Sequence, residues 1–150
     1  MTTDAPITVL LLADACRITD AALAMARELG CKPLTVAVLD GGGHLLAFKR
    51  EDGSSILRPQ IAHAKAWGAL GMGMGGRALA ERASVAPAFV AALSDMSGGR
   101  IAPVPGGVLV RNDRGHILGA VGISGDHSDK DEACAMAGIN SVTGLSADGG

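Results

Sequence analysis

Leu11, Ala15, Ile18, Ala22, Met25 and Leu29 recur at spacings of four and three, the period that places apolar side chains on one face of a helix. Gly30 follows where a left-handed residue closes a helix, so the pattern predicts a helix ending there. The period then changes. LTVAVLD (34–40) is a β-branched run of strand length, DGGG (40–43) has turn chemistry, and HLLAFKR (44–50) is a second apolar run. Together they predict an antiparallel hairpin, which EDGSS (51–55) terminates.

Pro59 suits the first turn of a helix, and QIAHAKAWGAL continues it with strong helix formers until the glycines from Gly71 to Gly76. ALAERA and APAFVAALSDM predict two short helices divided near Pro87, and SGGRIAPVPGG (97–107) predicts a loop. VLVRN (108–112) and HILGAVGIS (116–124) form a second hairpin across Asp113, Arg114 and Gly115. Ser128 and Asp131 have capping-box spacing for a helix over about 129–142, and SADGG at the end predicts a frayed tail. Two hairpins among helices imply one antiparallel sheet with helices packed on it, an α+β fold.

Composition narrows this picture. A chain of 150 residues suits a single domain, 1–150, with a core over about 8–142. Only Phe48, Phe89 and Trp67 are aromatic, so the core must be built from aliphatic residues, with glycines letting backbones approach. A net charge of −2 with few aromatics argues against nucleic acid as a partner. Asp4 precedes the apolar stretch near the N-terminus, and Asp14 and Arg17 interrupt it, so neither a signal peptide nor a membrane span is predicted. Cys16, Cys31 and Cys134 are odd in number and far apart, which points to reduced thiols; with no signal peptide or membrane span predicted, a cytoplasmic protein is the default expectation.

Gly71, Gly73 and Gly76 spell the G-x-G-x-x-G of dinucleotide-binding folds. That motif needs a preceding strand and a following helix whose N-terminus meets the pyrophosphate. Here the glycines follow a helix and stand at its partially negative end, so they predict a helix terminator and a close-packed turn. Three other segments could carry chemistry. Pro105, Gly106 and Gly107 open a strand without side chains, so either a ligand or a sheet-edge bulge fits there. In VGISGDHSDKDE (121–132) a strand ends, Gly125 turns the chain and a helix begins; its free N–H groups suit an anion, or simply ordinary capping. Lys65 lies in an apolar helix, where it either pairs charge under cover or extends into water. His44, His63, His116 and His127 lack metal-site spacing, so no metal centre is predicted.

LTVAVLDGGGHLLAFKREDG, IAHAKAWGAL, GRIAPVPGGVLVRNDRGHILGAVGISG and DKDEACAMAG, in that order, resemble the GlcG/HbpS family of haem-degrading or haem-binding proteins, to which the C-terminal domain of PduO proteins is related. The resemblance covers about residues 8–142. It implies a profilin-like α/β/α sandwich with a single antiparallel sheet of about five strands, the extra strand near Ile101–Val104, and assembly into homo-oligomers. It also points to Arg50, Lys65, Pro105, Gly106, Gly107 and the segment Gly125–Glu132 as the site. GDHSDKDE departs from the glycine pair and threonine or glutamate-glutamine stretch of many relatives.

Two functions follow. In the first, the protein is a binding module: Arg50 and Lys65 pair with a small carboxylate or with the propionates of haem or another tetrapyrrole. Pro105, Gly106, Gly107, Gly125, Asp126, His127, Ser128 and Glu132 line the same pocket. In the second, it is a cofactor-independent isomerase, lyase or hydratase of a small oxygenated acid, with Lys65 and His127 as the acid/base pair oriented by Asp126 or Asp131. Both require the Lys65 ammonium and the amides near Ser128 to share one hollow. An accessory or assembly protein with a vestigial pocket is a third reading.

Overall fold

The computed structural model describes residues 7–150. Helix α1 (Leu12–Glu28) is followed by the hairpin β1 (Thr35–Asp40) and β2 (Leu45–Arg50), then α2 (Arg58–Met72), α3 (Gly76–Val85) and α4 (Pro87–Met96). The second hairpin is β3 (Gly107–Arg111) and β4 (Ile117–Ser124), followed by α5 (Ser128–Asn140) and β5 (Ser146–Asp148). The strands form one antiparallel sheet in the order β2-β1-β4-β3-β5.

Both central faces of the sheet are covered, because successive side chains point to opposite sides. Val36, Val38, Val108, Val110, Val121 and Ile123 pack with α1 and α5, joined by Ile18, Ala22 and Ile139. Leu39, Leu109 and Ala120 point the other way, onto Ala66 and Ala69 of α2. The helix lies unusually close to the strands: a Cβ on Gly122 would overlap the Ala62 carbonyl oxygen, and one on Gly107 would overlap that of Lys65. The α+β fold predicted from the two hairpins, and the five-stranded antiparallel sheet implied by the resemblance, are therefore observed.

Three local expectations are corrected. Ile101–Val104 is not a strand; Pro103 within it and Pro105 just after it cannot donate to a ladder. The fifth strand comes from the residues read as a frayed tail: Ser146–Asp148 pairs with β3, and Arg111 Nη2 meets Asp148 Oδ2 at 2.9 Å. The capping box also does not form. Ser128 lies inside α5, His127 holds the N-cap position without a side-chain cap, and Asp131 is drawn elsewhere. The glycine run behaves as predicted: Gly73 ends α2 at φ +65°, and Gly76 packs against the Val104 carbonyl.

Candidate functional site

The sheet's pairing puts Arg50, Ser124 and the start of β3 at one end of the molecule, since Thr35 opposes both Arg50 and Ser124, and Gly107 opposes Gly122. Lys65 reaches that end from α2, and Asp131 from α5. The Lys65 ammonium donates to the Ile123 carbonyl at 2.8 Å and to Asp131 Oδ2 at 3.1 Å. The other Asp131 oxygen accepts the backbone N–H of Asp126 at 3.1 Å. Lys65 and Asp131 are 2% and 1% exposed, so both ions are sealed from water. Burial pushes the lysine down and the aspartate up, and each partner's charge works against that shift.

The expected hollow is thus filled by the lysine itself. Gly106 is bare because a Cβ there would crowd the Lys65 ammonium. The predicted residues nearby are engaged separately. Arg50 donates to the Ser54 carbonyl and borders a polar cleft of about 370 Å³ with Arg27, Glu51 and Asp52. Asp126 accepts the N–H groups of Lys32 and His127, at 2.8 and 2.6 Å, which hold its carboxyl below the usual range. Glu132 pairs with Arg77 at 3.0 Å. His127 is exposed, while Ser128 and Pro105 are half-buried. None of the cavities described here is walled by Lys65, Pro105–Gly107 or residues 125–132.

The open space lies elsewhere, for a reason written in the packing. Helix α2 covers β4, β1 and β3 but leaves the outermost strand β2 largely uncovered on that face. Leu45 and Phe48, which share the face of Leu39 and Ala37 through the β1–β2 register, remain 54% and 42% exposed. They form one wall of a groove of about 340 Å³; Pro59, Gln60 and His63 of α2 form another, and Gly98, Gly99 and Arg100 close one end. Gly98 and Gly99 have φ +69° and +80°, left-handed values that turn the chain back after α4.

Arg100 is fixed by its surroundings. Its guanidinium lies 4.1 Å from the centroid of the Trp67 ring, and its Nε donates to the Ser97 carbonyl at 2.7 Å. Among the described residues no carboxylate pairs with it. Burial, and then the Arg100 charge, lower the pKa of His63, so its imidazole is neutral at physiological pH. Sequence reasoning missed this site. His63 and Trp67 stand four apart in the sequence, one helical turn, but Arg100 lies in a Gly/Pro-rich loop with no motif of its own. Among the described residues no cluster of three or more histidine, cysteine or acidic side chains could hold a metal, and no helix is long and apolar enough to cross a membrane.

The family model described as haem degrading protein HbpS-like matches residues 10–140. The chain belongs to the HbpS-like family. Solved structures agree with the assignment. A PduOC–haem complex superposes with a TM-score of 0.81 at 25% identity, over 91% of this chain and 96% of that one. A double mutant of HbpS from Streptomyces reticuli gives 0.78 at 28%, over 95% and 92%. The ORFY protein of Klebsiella pneumoniae gives 0.78 at 26%, over 93% and 94%. None of the curated proteins compared matches the chain.

Proposed function

We propose that this HbpS-like protein binds a planar, carboxylate-bearing tetrapyrrole, with haem as the candidate, in the groove between β2 and α2. The observation that carries the reading is an apolar groove whose wall includes a guanidinium that no carboxylate among the described residues pairs with. Leu45 and Phe48 offer flat apolar contact, and Arg100 offers a fixed charge for a propionate. About 340 Å³ is small for such a ligand, so a macrocycle would be only partly enclosed by one chain. The haem bound to the PduOC relative supports the ligand class. Bound haem would supply an iron centre; the chain's part is to orient the ring, pair its acid groups and exclude water from one face.

A small carboxylate alone would use Arg100 but leave the apolar walls idle. The isomerase, lyase or hydratase alternative is not favoured, because Lys65 is sealed against Asp131 and no described cavity reaches it. The same reading takes residues 1–150 as one domain of a cytoplasmic homo-oligomer; light scattering on the purified protein tests the oligomer. Titration with haemin tests the ligand: a shifted Soret band saturating at one equivalent per chain is expected, and Phe48→Asp should abolish it. A spectrum equal to that of free haemin overturns the proposal.

A further inference from the structure

The groove contains a coordinating atom that the binding reading does not require. We propose that His63 is the metal-coordinating residue of the groove, so that the site selects metallated over metal-free tetrapyrroles. This rests on the groove being the tetrapyrrole site, and the test below separates the two.

The argument begins with elimination. The other side chains in the groove wall are Ala, Leu, Phe, Pro, Gln and Arg, with Gly98 and Gly99 contributing backbone only. Among the described residues no thiol, thioether, phenol, carboxylate or second imidazole borders it, so His63 is the one strong ligand for iron among them in that wall. The ring is also uncommitted: among the described residues neither of its nitrogens has a hydrogen-bonding partner. The three other histidines are placed apart. His44 is tied to Asp40, His116 follows the β3–β4 turn, and His127 caps α5.

Position and charge then act together. Helical geometry sets His63 and Trp67 one turn apart on the same face, and the Trp67 ring stacks the Arg100 guanidinium beside them. Burial first, and then the Arg100 charge, disfavour protonation of this half-buried imidazole, which lines the groove. The same arginine is the propionate partner in the binding reading. One face of α2 thus offers a neutral ligand for the metal and, across the stack, a cation for the ring's edge.

Haemin and metal-free protoporphyrin IX, titrated into wild type, His63→Ala and Arg100→Ala, test this. The sole tryptophan, Trp67, stacks on Arg100 of the groove wall, so quenching of its fluorescence reports binding of both. In His63→Ala the haemin Soret and visible bands should move, with affinity falling about tenfold or more, while protoporphyrin IX binding stays within about twofold. Arg100→Ala should weaken both compounds alike, and His116→Ala should change neither. Thermal melting of each variant establishes that it is folded; should His63→Ala fail to fold, His63→Gln replaces it with the same expectations. Equal weakening of haemin and protoporphyrin IX in the His63 variant, or an unmoved haemin spectrum, overturns the assignment while leaving the groove intact. Failure of wild type to bind either compound overturns the groove reading and this inference with it.

Discussion

Lys65 and His63 stand two residues apart on one helix and meet opposite environments. Lys65 points between α2 and the sheet end, where glycines in β3 and β4 let the helix press against the strands, and it ends in a dry ion pair. His63 points to the flank of the same helix, where β2 extends beyond it and no described element covers the gap. The glycine-rich, charge-bearing segments that attract attention in the sequence build the closed region. The open region is made by what α2 fails to cover. Motif density here marks tight packing, and accessible chemistry lies where packing stops.

The closed region should break hardest. Asp131→Ala leaves the Lys65 ammonium buried with only the Ile123 carbonyl, which should cost about 3–5 kcal/mol in urea unfolding. Lys65→Met combined with Asp131→Leu removes both charges and should recover most of that loss. A single-variant cost below about 1 kcal/mol would mean that water reaches the pair. Gly122→Ala comes next, because its methyl group meets the backbone of Ala62 and not a movable side chain. It should cost about 1–3 kcal/mol or more. Gly30→Ala, with space around it but φ +64°, should cost about 1–2 kcal/mol through backbone strain alone. None of these alterations lies in the groove wall, so haemin binding by any variant that folds should persist.

The open region should break in binding and not in stability. Arg100→Ala removes a charge-assisted contact and the stack on Trp67, and should weaken haemin by about tenfold, roughly 1.4 kcal/mol. Urea midpoints should scarcely move, since the side chain is exposed. Loss of stability without loss of binding would invert the comparison and assign Arg100 a structural role.

Much of the fold was legible because it rests on local signals. The Leu11–Leu29 stripe, the DGGG turn, Pro59 and Gly73 act within a few residues of themselves, and each element they predict is present. The missed strand depended on a distant partner: Ser146–Asp148 has no strand pattern of its own and is held by β3 and Arg111. The capping box failed for the same reason. Asp131 had the right spacing to serve Ser128, but Lys65 arrived from the other face of the sheet. The site was less legible still. Arg100 acquires meaning only through Trp67, 33 positions earlier in the sequence, and the groove reflects the relative reach of α2 and β2.

The smallest expected effect is the most specific to the groove. Burial and Arg100 hold the folded-state pKa of His63 below its ordinary value of 6.5. Between that lowered value and 6.5 the unfolded chain binds more protons than the folded one, so stability rises with pH across the window. Acidification from pH 7 should therefore begin to erode stability near 6.5, and the loss should level off once the folded imidazole is also protonated. His63→Gln should flatten this slope, and Arg100→Ala, which removes the second cause of the shift, should narrow its window. The Asp40 and Asp126 carboxyls are lowered from 3.8, so their losses fall at more acid pH and do not overlap. Urea midpoints from pH 7.5 to 5 measure the slope. Parallel curves for wild type and His63→Gln would show that the imidazole is as readily protonated in the folded chain as in the unfolded one, and would remove the electrostatic support for a neutral imidazole in the groove wall.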